Sequence, residues 1–196
     1  TAVGEHVAKS IISSAGIPIA RETLAANADE CVIAWKTFAG PVVMKIVSPD
    51  LPHKTEVGGV LLNIDGEKAI RQGHATLLER ALAAKPEAQI DGVIVAEMIK
   101  GGVETVMGVV RDPVFGPVVM FGIGGVFVEV LKDVTFRIAP FGIDEARRMI
   151  DCIRGRAMLD GVRGAPPSDI ESLAEALSRL SVFAAANSGA IDSIDI

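Results

Sequence analysis

The chain has 196 residues, of which 49% are hydrophobic and 22% charged, and its formal net charge is -6. This length and composition allow a substantial core in one large domain or two small subdomains, and the negative charge argues against nucleic acid as the main partner. No apolar run approaches the roughly 20 residues that span a bilayer, and no signal-peptide pattern is visible, so we expect a cytoplasmic protein without a membrane partner.

The cysteines and aromatic residues restrict the function further. Cys31 and Cys152 are far apart and lack the paired spacing of a zinc site. We predict that both are reduced core residues, since unpaired cysteines are commonly buried. The chain has no tyrosine and one tryptophan, Trp35, so stacking of bases on aromatic side chains is not expected.

The first part of the chain alternates between helical and strand patterns. Helices are predicted over residues 1–15, 30–39 and 66–84, and strands over residues 17–20, 42–47, 60–64 and 92–98. Asp29 is predicted to cap the second helix. The first helix is expected to bury an apolar face formed by Val3, Val7, Ile11 and Ile12.

The second part continues the mixture. Strands are predicted over residues 104–111, 118–123, 134–139 and 190–196, and helices over residues 144–154 and from a capping box of Ser168 and Glu171 onward. We predict a hairpin between the strands 92–98 and 104–111. The mixed order with hairpins predicts an α+β fold, divided into an N-terminal lobe, residues 1–91, and a C-terminal lobe, residues 92–196. The last strand pattern stops at Ile196, so we expect a piece of a longer protein.

The most informative stretch is the predicted pair of strands over residues 42–47 and 60–64. Lys45 interrupts the first apolar run, so that it either reaches solvent from a strand edge or meets an anion in a cleft. His53, Lys54 and the pair Gly58-Gly59 follow in the connecting loop. Glycine amides and lysine ammonium groups are the parts of a phosphate-binding loop. The alternative is a β-hairpin with a solvated basic loop.

A second group of glycines, Gly122, Gly124 and Gly125, follows a buried strand pattern. Glycines at such a position permit close approach of the backbone to a ligand or to another strand, and we leave both open. A cleft between the two predicted lobes would be a common type of ligand site.

Three blocks of sequence occur in a recognisable order: PVVMKIVSPDLPHKTEVGGVLLNI, VIVAEMIKGGVETVMGVVRDPVFGPVVMFGIGGVFVEVLKDVTFRIAPF and MIDCIRGRAMLDGVRG. Together they resemble the ATP-grasp part of ADP-forming acyl-CoA synthetases (acetate–CoA ligase, ADP-forming), and the likeness covers nearly the whole chain. The resemblance implies an ATP-grasp fold, in which two α+β lobes hold ATP or ADP between them.

The resemblance also implies which residues contact the nucleotide. Lys45 is similar to the lysine that contacts the phosphates, next to the loop of Gly58 and Gly59. Glu97, Met98 and Ile99 resemble the interlobe strand that meets adenine, and Glu104 resembles the carboxylate that binds the ribose hydroxyls. For both glutamates, the alternative is exposure to solvent at a hairpin end.

The resemblance further implies a phosphoryl carrier. His53 is similar to a histidine that relays the phosphoryl group with a second histidine from the CoA-binding part, and Lys54 would stabilise the phosphoryl oxygens. Alternatively, His53 only bonds its own loop. Glu129 would orient the histidine or Mg²⁺. Asp195-Ile196 matches the start of a metal-binding Asp-Ile-Asn-Pro strand, although the Asn-Pro is missing and Ser193 stands where relatives often have Glu.

As a whole, the resemblance implies an ATP/ADP-binding domain of a ligase with Mg²⁺ as cofactor. The complete enzyme would interconvert acyl-CoA, ADP and phosphate with carboxylate, CoA and ATP, with its acyl-CoA bound on CoA-binding lobes that are fused or separate partners. The alternatives are a non-catalytic regulatory domain, as in the synthetase-like half of some protein lysine acetyltransferases, and a nucleotide-free interaction fragment.

Overall fold

The described part of the chain forms two compact units, each built on one antiparallel sheet. The computed structural model describes residues 3–51, 53–125, 132–162 and 164–196. The first unit contains the residues up to Ala8 and Ile19–Lys100, and the second contains Lys9–Pro18 and Gly101–Ile196. Helices and antiparallel strands alternate irregularly, which confirms the predicted α+β class.

The first unit is a four-stranded sheet packed on helices. Its elements are α1 (Glu5–Ser14, of which the first turn belongs here), β1 (Glu22–Ala25), α2 (Ala28–Trp35), β2 (Val42–Val47), β3 (Val60–Ile64), α3 (Glu67–Ala84) and β4 (Gly92–Glu97). The strand order is β1-β4-β2-β3. Since side chains alternate along a strand, Val42, Met44 and Ile46 enter the core against α2 and α3. The residues between them, Lys45 included, lie on the opposite face.

The second unit repeats this plan with a longer hairpin. It contains the rest of α1, β5 (Thr105–Asp112), β6 (Gly116–Ile123), β7 (Val134–Ile138), α4 (Ile143–Asp151), a 3₁₀ helix (Arg154–Asp160), α5 (Ile170–Ala186) and β8 (Ser193–Asp195). The strand order is β7-β6-β5-β8. The core between this sheet and the helices is centred on the fully buried Phe121, Met149 and Leu177.

Two helix starts differ from the prediction. Asn27, not Asp29, caps α2, and its side chain accepts a hydrogen bond from the amide of Glu30 at 3.0 Å. Asp169, not Ser168, caps α5 and accepts from the amide of Ser172 at 3.0 Å. Both errors have the same cause, since neighbouring short polar residues are all competent caps and the backbone decides between them.

The predicted hairpin between the strands 92–98 and 104–111 is wrong. β4 pairs with β1 and β2, whereas β5 pairs with β6 and β8. Because both edges of β4 are occupied within the first sheet, β5 begins a new one. The predicted lobe division after residue 91 therefore differs from the two units, which place Gly92–Glu97 in the first. The strand predicted over residues 17–20 is also wrong, since β1 begins at Glu22.

Two predictions about burial are wrong. Val3, Val7 and Ile11 are exposed, and in α1 only Ile12 is buried. Cys31 is buried as predicted, and desolvation raises the pKa of its thiol to about 11, whereas Cys152 is exposed.

Within the described ranges, no helix combines the length and the apolar character needed to cross a membrane.

Candidate functional site

Lys45 lies in the middle of β2, on the face of the first sheet opposite to α2 and α3. Its ammonium Nζ donates a hydrogen bond to Glu5 Oε1 at 3.1 Å, and 27% of the side chain is exposed. An ammonium on an apolar strand needs an anionic partner, and here the partner is a carboxylate from the first turn of α1. The sequence offered solvent or an anion as alternatives, and the structure shows an anion.

Lys54 approaches the same carboxylate from the loop after β2. Its Nζ donates to Glu5 Oε2 at 2.6 Å, and 16% of the side chain is exposed. Each oxygen of the Glu5 carboxylate therefore accepts from a different ammonium group. Two largely buried cations thus converge on one anion position, which we call the lysine cluster (Lys45, Lys54 and Glu5).

The lysine cluster borders an open cavity with a volume of about 510 Å³. The lining residues are Glu5, Lys45, His53, Lys54, Thr55, Glu56 and Val60. His53 is exposed, and its imidazole makes no hydrogen bond to another described residue. The structure therefore brings His53, Lys45 and Lys54 together in one cavity. The imidazole forms no hydrogen bond with the described part of its own loop.

The glycine pair of this loop has a packing role. A Cβ on Gly59 would lie 2.7 Å from Ile46 Cγ2 and 3.0 Å from the carbonyl oxygen of Lys54. The amide of Gly59 donates to that carbonyl at 2.7 Å, and the amide of Gly58, whose φ is +63°, donates to Thr55 at 3.1 Å. Both amides are thus bonded within the loop, and contact of Gly58 and Gly59 with a nucleotide stays a prediction.

An apolar cluster shares the sheet face with Lys45. It consists of the buried Val43, Ile94 and Ala96, with Val47, Val60 and Met98 packed against them. In the sheet, Lys45 lies directly opposite Ile94 on β4 and Val60 on β3. The three central residues are at most 9% exposed, so the accessible part of this apolar cluster consists of the half-buried Val47, Val60 and Met98.

Three predicted residues lie at the end of β4. Glu97 accepts from the amide of Arg21 at 3.0 Å and from its Nε at 3.1 Å, and these hydrogen bonds, the backbone one first, lower the pKa of the carboxyl. Met98 is half-buried in the apolar cluster, and Ile99 is exposed. Glu97 is thus held in place and ionised, while Ile99 is accessible.

Glu104 and the second glycine group meet in the second unit. The amide of Gly124 donates to the carbonyl oxygen of Glu104 at 2.7 Å. A Cβ on Gly124 would lie 2.9 Å from Glu104 Cγ, and one on Gly125 would lie 3.1 Å from Glu104 Oε2. The close approach that Gly124 and Gly125 permit is therefore to Glu104, whose exposed carboxylate rests over them. Gly122 instead permits the approach of another strand, since its Cβ would lie 2.5 Å from the carbonyl oxygen of Asp133 and 2.8 Å from Val134 Cγ1 at the start of β7.

Asp195 lies on the outer face of the second sheet. It is exposed, and Gly108, Met120 and Phe136 follow it in one row across the strands. No group of three or more His, Cys, Asp or Glu side chains arranged to hold a metal occurs among the described residues. Glu129, the other predicted acidic residue, lies outside the described residues.

Sequence reasoning missed two residues of this site, Glu5 and Arg21. Glu5 precedes Lys45 by 40 residues and lies in a short amphipathic helix, where a first-turn glutamate is common for reasons of helix stability alone. Arg21 precedes Glu97 by 76 residues. No local pattern connects either residue with its partner, so only the fold reveals them.

The chain is similar to known proteins over its whole length. A family model described as an ATP-grasp domain matches residues 1–196. The beta subunit of an ADP-forming acetate–CoA ligase I from Pyrococcus furiosus is 43% identical over 180 residues, which cover 92% of this chain and 78% of that subunit. An ADP-forming 4-hydroxybutyrate–CoA ligase from Nitrosopumilus maritimus is 44% identical over 177 residues, which cover 90% of this chain but 25% of the ligase.

A solved structure is also similar. It is the dinucleotide-forming acetyl-coenzyme A synthetase 1 of Ca. Korarchaeum cryptofilum, in complex with coenzyme A, Ca-AMPCP and HgCl⁺. The TM-score is 0.94 at 42% sequence identity, and the match covers 98% of this chain and 84% of that chain.

Proposed function

Since this chain belongs to the ATP-grasp family, in the branch of the ADP-forming acetate–CoA ligases, we propose that it binds ATP or ADP and exchanges a phosphoryl group between the nucleotide and His53. The observation that carries this proposal is the lysine cluster beside His53. Lys45 and Lys54 direct two ammonium groups at one anion position in the cavity that His53 also lines. Phosphate oxygens are natural ligands for such a pair of cations.

The phosphoryl transfer follows from ordinary imidazole chemistry. A neutral ring nitrogen of His53 donates its lone pair to the γ-phosphorus, and the bond from phosphorus to the bridging oxygen breaks, so that ADP leaves with that electron pair. The other ring nitrogen releases its proton to water. Lys54 and Lys45 offset negative charge on the phosphate oxygens, and the same steps in reverse form ATP.

The remaining nucleotide contacts are proposed from the two units separately. In the first unit, the half-buried Met98 at the margin of the apolar cluster, together with Glu97 and Ile99, is suited to adenine. In the second unit, the exposed carboxylate of Glu104 is suited to ribose hydroxyls. We propose that the two units are the two lobes of the fold, and that Gly58 and Gly59 act by shaping the loop that carries Lys54.

A divalent cation fits the second unit only in part. Mg²⁺ is commonly held by one or two carboxylates, phosphate oxygens and water, so a single exposed Asp195 is sufficient only together with nucleotide phosphates. When bound, Mg²⁺ would offset phosphate charge. The participation of Glu129 is retained as a prediction.

The activity of the whole enzyme is proposed from the relatives. We propose a ligase that interconverts acyl-CoA, ADP and phosphate with a carboxylate, CoA and ATP in the cytoplasm. This chain spans 25% of the Nitrosopumilus maritimus ligase, so CoA-binding lobes, fused or separate, are the proposed partners that hold acyl-CoA. The relatives described above carry the names of ligases or synthetases, and nothing in them supports the acetyltransferase regulatory domain.

Labelling of the histidine tests this function. The chain is incubated with Mg²⁺ and ATP labelled at the γ-phosphate, and acid-labile, base-stable label is measured on the protein. We expect label on the wild type and on His74→Asn, a histidine on α3, and none on His53→Asn. Label that persists in His53→Asn would contradict the assignment of His53, and a wild type that binds ATP but takes up no label would contradict the transfer.

A further inference from the structure

We propose that Glu5 is an intramolecular anion that holds Lys45 and Lys54 in place before the nucleotide binds, and that nucleotide phosphate must displace it. The inference rests on the proposed function, because it concerns the same two lysines. It adds a residue from α1 to the site and assigns it a competitive role.

The geometry of the cluster is that of an occupied anion site. Glu5 Oε1 and Oε2 lie 3.1 and 2.6 Å from the two ammonium nitrogens. Without a shared anion, two like charges that both point into one half-buried position would repel each other. The Glu5 carboxylate therefore stabilises the arrangement that a phosphate would need, and it does so by using the same N–H groups.

The residue next to Glu5 has a contact of its own with the first sheet. The neighbouring His6 contacts Glu22 on β1, with 3.0 Å between Nδ1 and Oε1. The three members of the lysine cluster come from α1, β2 and the loop after β2. Their connection along the chain therefore does not by itself make them move together. A change of the Glu5 side-chain rotamer is sufficient to release both lysines.

Charge decides which ligands can displace Glu5. A carboxylate carries one negative charge, whereas a nucleoside di- or triphosphate presents several charged oxygens to the two cations. A polyphosphate therefore gains more from the exchange than a carboxylate or other monoanion of similar size. Glu5 thus lowers the affinity for every anion but leaves the polyphosphates as the class that binds.

The test is titration calorimetry of the 196-residue chain with MgATP. Glu5→Gln keeps the size and the hydrogen-bonding capacity of the side chain but removes its charge. Exposed or half-buried ion pairs contribute little individually, so we expect Kd to fall by about three- to tenfold. Glu79→Gln is the matched control, because Glu79 is exposed on α3, which packs on the other face of the sheet from Lys45, and it does not line the cavity. Its Kd is expected to change by less than about twofold.

Glu5→Asp gives a second variant in case Glu5→Gln does not fold, as judged by its thermal midpoint. The shorter carboxylate keeps the charge but cannot bridge both lysines, so Kd should fall by less than in Glu5→Gln. An unchanged or weaker affinity in the Glu5 variants, or an equal gain in Glu79→Gln, would overturn the displacement of Glu5. MgATP binding by the wild type would still uphold the proposed function in that case. Failure of the wild type and all variants to bind MgATP would overturn both proposals.

Discussion

Two clusters in this molecule share one charge arrangement, in which two cationic side chains bond the two oxygens of one carboxylate. The first is the lysine cluster of the first unit. The second, in the second unit, is here called the arginine cluster (Arg137, Arg148 and Glu145). Its distances are 2.6 Å from Arg137 Nε to Glu145 Oε1 and 2.8 Å from Arg148 Nη1 to Glu145 Oε2, close to those of the lysine cluster.

The surroundings and the type of cation separate the two clusters. Arg137 on β7 donates to Glu145 on α4 and also to the carbonyl oxygen of its neighbour Phe136 at 2.9 Å, so that its guanidinium connects β7 with α4 and is held at both ends. The planar fork of arginine holds several fixed bonds at once, whereas an ammonium group accepts a change of partner readily. The lysine cluster also borders a cavity with His53. The charge arrangement alone therefore does not indicate a ligand site; the cavity and the lysines do.

The largest difference between the two clusters is expected in MgATP affinity when one cation is removed from each. Lys45→Met and Arg148→Met remove the same charge, each from one carboxylate. Because a charge-assisted hydrogen bond contributes roughly 1.5–3 kcal/mol, Lys45→Met should weaken MgATP binding by about ten- to a hundredfold. Arg148→Met should weaken it by less than about twofold. Similar losses in titration calorimetry would show that only net charge matters.

A glycine-to-alanine substitution in the packed loop that carries Lys54 should lower the free energy of unfolding more than the same substitution at an exposed position. A methyl group on Gly59 would overlap Ile46 and the Lys54 carbonyl, so Gly59→Ala should lower the free energy of unfolding by about 1–3 kcal/mol. Gly189→Ala is the control, since its Cβ would meet nothing within 4 Å. Its effect in urea denaturation should stay within about 0.5 kcal/mol, and equal effects would contradict the packing role of Gly59.

The smallest effect is expected from the pH dependence of the arginine cluster. Hydrogen bonds from Arg137 first, and then from Arg148, lower the pKa of the Glu145 carboxyl below its ordinary value of 4.5. A lowered pKa in the folded state gives stability that is present above pH 4.5 and is lost as the pH falls through the folded value. Glu145→Gln should therefore be slightly less stable than the wild type at pH 7, and the difference in urea midpoint should shrink at acidic pH. A difference that is constant with pH would contradict this role.

The sequence predicted what depends on local pattern or on family resemblance. The apolar run around Lys45 correctly predicted β2. The lysine within that run left solvent and an anion open as alternatives, and the structure shows the anion, the carboxylate of Glu5. The loop pattern singles out His53 and Lys54, the resemblance predicts their roles, and the structure places both at one cavity with Lys45. These residues are separated by few positions, so their proximity follows from one strand and one loop.

The sequence failed where a choice depended on distant parts of the chain. Glu5 could not be found, because nothing in a first-turn glutamate says that β2 lies beside it. The hairpin error has the same origin, since only the pairing of β1 with β4 shows that β4 has no edge left for β5. Asn27 and Asp169 as caps were missed because several adjacent residues fit the same rule.

A crystal structure of this chain with Mg²⁺ and a non-hydrolysable ATP analogue tests the central claim most directly. The account predicts phosphate oxygens within hydrogen-bonding distance of the ammonium groups of Lys45 and Lys54, with the carboxylate of Glu5 displaced from both. Phosphates bound elsewhere, with both contacts of Glu5 intact, would contradict it.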